Sequence, residues 1–397
     1  MLIIRDSLEK LEQYVIEIIN GERRHGFARI FRYFLFFLSR LYRNAVQFRL
    51  SLYNSSILRQ RVLGCFVVSV GNLTTGGTGK TPLVELLARN LAERGKKVAI
   101  LSRGYRSKPR PLWQRIKSLF SGNPELVPPR FVSDGERVLL DSARAGDEPY
   151  MLARNLLSRN GRPGVMVVVD KNRYKGGTFA TRKGADIMIL DDGFQHLKLR
   201  PWTNILVIDS TNPFHNHEML PCGMLREPIK NLRRADYIFL TKSNGGDHLR
   251  HLRRFLKSHN SQAKIIECNH VPCYLEQVDD AEKTYALATL KGKRVAALSA
   301  IAVPESFEGY LEDLGAELVY RKRFVDHHRY RSAELVEFCR KAAENQAELL
   351  LTTEKDAVRL PQLPADIPPF LFLRVEIKIL KGQEHFENCL SQICLGR

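Results

Sequence analysis

No aspartate or glutamate occurs between Glu22 and Glu85, whereas nine arginines lie from Arg23 to Arg61. That stretch adds to an overall balance of 62 Lys+Arg against 43 Asp+Glu, a net +19. An excess of this size points to an anionic partner: nucleic acid, anionic lipid or a phosphorylated substrate. The chain also lacks an uninterrupted apolar run of about 20 residues, which a spanning helix needs. Its most apolar segment, FARIFRYFLFFLSRLY (Phe27–Tyr42), is shorter and broken by Arg29, Arg32 and Arg40. A basic amphipathic helix in the headgroup region fits this pattern, its arginine stems reaching toward anionic lipid. Phe31, Phe34, Phe36 and Phe37 would be costly to leave in water. The first 20 residues carry acids throughout and no small-residue cleavage site, so no cleavable signal is expected. Cysteine is sparse: seven scattered thiols, an odd number, exclude a disulfide framework and fit reduced thiols at a cytosolic face. Tandem repeats and long low-complexity tracts are missing too.

What is present is a long α/β pattern. At 397 residues two domains are the default expectation. The runs CFVVSV (Cys65–Val70), VAILS (Val98–Ser102), GVMVVVD (Gly164–Asp170), DIMILDD (Asp186–Asp192), NILVID (Asn204–Asp209) and DYIFLT (Asp236–Thr241) read as buried strands. Separated by helical patterns, they predict a parallel sheet covered by helices. Ser107–Val132 reads as an excursion. A second set follows Gly246, with strands KIIEC, RVAALSA (Arg294–Ala300), AELVY, ELLLTT (Glu348–Thr353) and FLFLRV (Phe370–Val375). Its helices are expected at Pro304–Leu314 and Ser332–Asn345. The expected organisation is a basic membrane-associated segment (1–50), a phosphate-loop α/β domain (51–245) and a smaller α/β domain (246–397).

Five stretches carry chemistry. GNLTTGGTGKTP (Gly71–Pro82) follows an apolar strand and opens a helix, the context in which Gly-Lys-Thr binds a nucleotide. Backbone N–H groups and the helix N-terminus would cradle phosphate, Lys80 would reach the β- and γ-phosphates, and Thr81 would hold Mg²⁺. Thr74 stands where the usual phosphate loop has its first glycine. In ILDDGFQH (Ile189–His196), Asp191 or Asp192 ends a buried strand, where such sheets bind ligands and an acid can hold Mg²⁺. AGDEPYMLAR (Ala145–Arg154) puts Asp147 and Glu148 at a helix start, which capping explains as well as catalysis does. LPCGMLREP (Leu220–Pro228) offers Arg226 and Glu227. RFVDHHRY (Arg323–Tyr330) offers Asp326 and His327 as a carboxylate–imidazole pair.

Taken in order, these stretches resemble the tetraacyldisaccharide 4'-kinase family of lipid A biosynthesis. LSRGYR (Leu101–Arg106) and LTTEKDAVRL (Leu351–Leu360) add to the match, which spans about Val67 to Leu360. The Asn-Leu-Thr before the glycines fits that family's loop. The resemblance implies transfer of ATP's γ-phosphate to the 4'-hydroxyl of a tetraacylated glucosamine disaccharide 1-phosphate, giving lipid IVA. It further implies a peripheral enzyme on the cytoplasmic face of the bacterial inner membrane, with two α/β/α domains flanking a cleft. By motif, Asp147 matches the proposed base and His327 its imidazole partner. Asp191 and Asp192, with Thr81, match the Mg²⁺ site. Asn72, Thr74, Thr75, Gly76, Gly77, Thr78, Gly79, Lys80 and Thr81 match the ATP loop. Glu148, Gln195, His196, Arg226 and Glu227 match cleft residues. The TTEKDAVR stretch is expected to be mainly architectural, with Lys355 or Asp356 bracing the inter-domain cleft. The sequence departs from the family in its extension before Phe27, in Cys222 and Met224, and in the loose match of LSAIAVPESF (Leu298–Phe307).

Two other classes compete. A membrane-bound partitioning ATPase would share the loop and the basic helix, yet Thr75 stands where its signature lysine belongs. It also gives no reason for Leu-Arg-Glu-Pro or Asp-His-His. A nucleic-acid-dependent ATPase would use the charge but needs stacking aromatics on a basic stripe of the core, and here aromatics cluster near the N-terminus. The expected partners are therefore a lipid substrate and a membrane surface, with no nucleic acid and no obligate protein partner.

Overall fold

A parallel strand buried on both faces reads as an unbroken apolar run, and β1 (Phe66–Gly71) is buried at all six positions. The structure, a computed structural model, describes residues 17–18, 26–104, 107–109, 127–159, 161–364 and 367–396. Ahead of β1 lies the 28-residue helix α1 (Phe27–Asn54). After it come α2 (Lys80–Glu93), β2 (Val98–Ser102), β3 (Arg130–Ser133), α3 (Asp147–Asn155), β4 (Met166–Val169), α4 (Arg173–Arg182) and β5 (Ile187–Asp191). The chain continues through β6 (Thr203–Asp209), β7 (Tyr237–Thr241), α5 (Arg250–His259), β8 (Lys264–Gln277), β9 (Thr284–Tyr285) and β10 (Arg294–Ser299). It ends with α6 (Pro304–Asp313), β11 (Glu317–Arg323), α7 (Ser332–Glu344), β12 (Leu349–Thr353), the single turn α8 (Glu354–Ala357), β13 (Phe370–Lys381) and α9 (Gln383–Leu395). Most of the excursion expected over Ser107–Val132 falls on 110–126, outside the described residues, as do Tyr105 and Arg106. All but two residues of the extension before Gly26 are outside them as well.

Contacts divide the chain into two units. The first comprises Met1–Lys80, Asp192–Cys268 and Ile379–Arg397. Its strands β1, β6, β7 and the start of β8 pair in that order, all parallel, in register Val70↔Ile205, Leu206↔Ile238 and Ile238↔Ile265. Its core gathers Leu73, Phe194, Leu206, Phe214, Leu225 and Leu256.

The second unit comprises Thr81–Asp191 and Asn269–Lys378. In it β5, β2 and β4 are parallel and β3 adds an antiparallel edge. A further parallel set runs β11, β10, β12, β13. Helix α2 carries Pro82 in its first turn, where no N–H is needed, and buries Leu83, Leu87 and Leu91 at one-turn spacing. These units differ from the sequential ranges 51–245 and 246–397, because the division falls inside the long strands β8 and β13 and within the phosphate loop. Sheet neighbours come from distant parts of the chain, which linear composition does not register.

Helix α1 runs on to Asn54, well past the expected Tyr42. Ala28, Leu35 and Cys222 form a small core with Phe31 and Phe36 packed against it, and Tyr42 and Val46 pack against the main core of this unit. Phe31 and Phe36 thus face the protein, whereas Phe34 and Phe37 are 52% and 59% exposed. With Phe27, Ile30 and Leu41, also exposed, they make a stripe at alternating three- and four-residue spacing, which exposed Phe48 continues seven residues on. Among the described residues no helix is long and apolar enough to cross a membrane.

Candidate active site

The phosphate loop is built on β1. Gly71 lies under Phe194 so closely that a Cβ would stand 2.6 Å from the Phe194 Cβ. The stretch after it is extended and zipped onto LPCGMLREP: Arg226 N–H donates to Leu73 O at 2.7 Å and Thr75 N–H to Met224 O at 2.8 Å. Thr74 and Leu225 form an antiparallel bridge, and Thr74 is buried. That geometry explains the missing glycine. An extended residue needs no positive φ, and a buried threonine packs where glycine would leave a gap. The residues that do need glycine are Gly76 (φ 105°) and Gly79 (φ 78°).

Beneath the loop, Asn72 donates through Nδ2 to Thr78 Oγ1 at 3.1 Å, and Thr241 Oγ1 donates to Thr78 O at 2.8 Å. Asn72 Oδ1 is buried and lacks a hydrogen-bond partner. Gln195 Nε2 donates to Asn72 O at 2.9 Å and to Glu227 Oε1 at 3.2 Å. Glu227 is itself buried, its Oε2 accepting from Asn231 and Arg234 at 2.6 Å each. It anchors the loop's underside. His196 sits in the turn that follows, its N–H donating to Gly193 O at 2.8 Å.

Asp192 adopts φ 52° and lies 3.6 Å from Lys80 Nζ. Arg226 Nη1 donates to both of its carboxylate oxygens, at 2.9 and 2.8 Å. The two acids of ILDDGFQH are therefore unlike. Asp191 is buried at the end of β5, where Ser102 Oγ donates to its Oδ2 at 3.1 Å and Arg173 Nη2 to its backbone oxygen at 2.7 Å. Thr81, in the first turn of α2, is buried. Gly77 and Thr75 complete the loop, Thr75 Oγ1 donating to Met224 O at 3.3 Å.

The second unit assembles a different cluster. Asp147 opens α3 and is 7% exposed. Its hydrogen bonds run to guanidinium groups rather than to the helix's own amides. Arg359 Nε donates to Oδ2 at 2.8 Å and Arg329 Nη2 to Oδ1 at 3.1 Å. His327 Nδ1 lies 3.5 Å from Oδ2. Burial pushes the Asp147 carboxyl up, but His327, Arg359 and Arg329 together outweigh it and hold it below the usual carboxylate range. His327 is a non-glycine residue at φ 65°, and its N–H is tied to Ala300 O at 3.1 Å. Asp326, the neighbour first paired with it, stands 4.0 Å from its Nε2. Glu148 accepts from Lys355 Nζ at 2.9 Å.

The first unit thus carries a loop with Lys80, Asp192 and Arg226, and the second, by itself, a buried carboxylate braced by an imidazole and two arginines. Reasoning from sequence missed Arg359 and Arg329. Both lie inside stretches singled out for other residues, TTEKDAVR and FVDHHRY, so position in a motif was the available signal.

Comparison with known proteins agrees. A sequence model of the tetraacyldisaccharide-1-P 4'-kinase family matches residues 31–395. The tetraacyldisaccharide 4'-kinase of Syntrophus aciditrophicus is 38% identical over 382 residues, covering 93% of this chain and 94% of that one. That of Halothermothrix orenii is 34% identical and covers 95% of both. Among solved structures, LpxK from Aquifex aeolicus in complex with ATP superposes with a TM-score of 0.70 at 30% identity, covering 91% of this chain and 99% of that one.

Proposed function

The chain belongs to the tetraacyldisaccharide 4'-kinase family, and from that premise we propose how its residues divide the work of ATP-dependent 4'-phosphorylation of tetraacyldisaccharide 1-phosphate. The observation that carries the assignment is Asp147, buried yet held ionised by guanidinium groups. A partitioning ATPase, which activates only water, has no evident use for it.

A sugar hydroxyl is a poor nucleophile, so a carboxylate must accept its proton as the new O–P bond forms. Asp147 is that acceptor. The proton leaves the 4'-hydroxyl for Asp147, and the bond between the γ-phosphorus and the bridging oxygen breaks toward ADP. Loop N–H groups from Gly76 to Thr81 hold the phosphates, with glycines letting the backbone approach. Lys80, now beside Asp192, exchanges that carboxylate for phosphate oxygens when ATP binds, and Arg226 keeps Asp192 compensated meanwhile. Thr81, Asp191 and Asp192 would hold Mg²⁺. Their hydroxyl and carboxylate oxygens suit a hard cation. The ion, when bound, would neutralise charge on the transferring phosphoryl group.

We read the exposed stripe of α1 as the membrane contact of an enzyme that is peripheral on the cytoplasmic face of the bacterial inner membrane. Support comes from six exposed apolar side chains on a helix within an acid-free, arginine-rich stretch. Phe34→Asp with Phe37→Asp is expected to lower binding to phosphatidylglycerol vesicles by tenfold or so, each inserted charge opposing burial in the headgroup region. Folding should be untouched, since both side chains point to solvent. Unchanged co-sedimentation with vesicles would place the contact elsewhere.

The overall assignment is tested with labelled ATP and tetraacyldisaccharide 1-phosphate in detergent micelles. Labelled lipid is the expected product. ATP hydrolysis with no labelled lipid would give the partitioning-ATPase reading the lead.

A further inference from the structure

The TTEKDAVR stretch contains a residue whose geometry goes beyond bracing. Arg359 has no side-chain exposure. Its Nε donates to Asp147 Oδ2 at 2.8 Å, and its Nη2 lies 3.1 Å from His327 Nδ1. Nη1 is fixed from behind by Ala300 O at 3.2 Å and Asp356 Oδ1 at 3.1 Å. Asp356 is held in turn, its Oδ2 accepting from Thr353 Oγ1 at 2.6 Å and from Ala300 N at 3.0 Å. One rigid fork therefore touches both members of the aspartate–histidine pair, and its other prong is anchored in the protein.

A guanidinium can only donate hydrogen bonds. If Nη2 donates to His327 Nδ1, that nitrogen must be the acceptor, and a neutral imidazole then carries its proton on Nε2. Asp147 and His327 Nδ1 would both be acceptors sharing one fork. Their 3.5 Å approach is then no hydrogen bond, and in this tautomer the compensation of Asp147 falls to Arg359 and Arg329 instead of being shared with His327.

We propose that Arg359 is the positioning residue of this site, holding Asp147 as an ionised acceptor and His327 as the Nε2–H tautomer. The proposal rests on the reading of Asp147 as proton acceptor. It changes the pair's logic: His327 is oriented through Arg359, and the proton taken from the sugar hydroxyl stays on Asp147 until it leaves to water. The arginines beside the newly neutral acid favour that release. Charged and titratable groups around Asp147 are Arg359, Arg329 and His327. Asp326 faces His327, Asp356 and Tyr330 lie behind Arg359, and the Glu148–Lys355 pair adjoins.

The test uses the full chain. Arg359→Met should lower kcat by at least about 100-fold with KM for ATP within about threefold, as expected when an acceptor loses its orientation. Its pH–kcat acid limb should move upward, because a cation that pulls the Asp147 carboxyl down is gone. Arg359→Lys keeps the charge without the fork, so the limb should return toward its original position while kcat stays low. A merely structural role would reduce the amount of active enzyme and leave the limb in place in both variants; that result overturns the proposal. Should Arg359→Met fail to fold, the wild-type protein still decides. With ¹⁵N-labelled histidine, and His327→Gln to assign the signal, the Nε2–H tautomer is expected and an Nδ1–H tautomer is fatal. A normal turnover in Asp147→Asn would instead overturn the reading of Asp147, without altering the tautomer result.

Discussion

Asp147→Asn loses phosphoryl transfer by roughly 10²- to 10⁴-fold in kcat, the range a positioned general base contributes, while ATP still binds. Asparagine keeps the shape, and its one oxygen can still accept from Arg359 or from Arg329, which bond different oxygens of Asp147, but it cannot take a proton. Because Asp147 belongs to the start of α3 and none of its hydrogen bonds goes to the phosphate loop, nucleotide affinity should hold within about threefold, the part of binding that this residue does not share. A fluorescent ATP analogue and the labelled-lipid assay read the two quantities separately. Near-normal turnover would remove Asp147 from the chemistry. The pH profile offers a second check. The carboxyl is held below the usual range, so it is ionised and competent at neutral pH and activity falls only as pH drops through that lowered value. Linkage has the same sign. Its contribution to stability is complete above the unfolded aspartate's pKa of about 3.9 and is lost as pH falls through the folded value. An acid limb for kcat well above pH 5 would contradict this assignment.

Arg374→Met is expected to be the most destabilising single change in the second unit. Arg374 on β13 is 3% exposed and pairs with both Glu85 of α2 and Glu354 of α8. Asn155, at the end of α3, donates to Glu354 Oε1 at 2.6 Å and to Glu85 Oε2 at 3.0 Å, and Arg89 donates to Glu85 Oε1 at 2.8 Å. Removing the guanidinium leaves Glu85, still paired with Arg89, beside Glu354, whose carboxyl burial already pushes up to about 7. Breaking a buried pair in this way costs about 3–5 kcal/mol, more than the pair itself contributes over an apolar replacement. A loss of this size should lower the melting midpoint on the order of 10 °C. Adding Glu354→Gln to the variant should recover part of the loss, because it removes an acid that must otherwise take up a proton to stay buried beside Glu85. A shift under about 2 °C for the single variant would show that water or relaxation already screens the cluster. The same cluster ties together α2, which opens with the nucleotide loop's Lys80, and α3, which opens with Asp147. Partial loosening should therefore also reduce turnover in the protein that remains folded.

Much of the fold was legible because its signals are local. The apolar runs at Cys65–Val70, Val98–Ser102 and Asp236–Thr241 are the observed β1, β2 and β7 within a residue or two. A parallel strand must be buried on both faces, and such burial leaves an unbroken hydrophobic record. Gly76, Gly79 and Lys80 were equally readable, since only glycine takes the positive φ that the loop needs. Helix α1 was legible as amphipathic, but its partition was not. Phe31 and Phe36 look no different from Phe34 and Phe37 in composition, and only packing beside Cys222 decides which pair faces solvent.

By itself, the sequence determined the α/β class, the nucleotide loop, the basic apolar helix and, through its ordered motifs, the family. Only the tertiary structure decided what each polar residue is paired with. Thr74 is extended because it bridges Leu225, some 150 residues away. Glu227 is a buried anchor because Asn231, Arg234 and Gln195 converge on it. Asp147 is held ionised by Arg329 and Arg359, about 180 and 210 residues further on. The reason is the same in each case. Backbone and hydrophobic preferences depend on neighbours within a turn or a strand, whereas a charge buried in protein is stable only beside partners that the fold alone brings near.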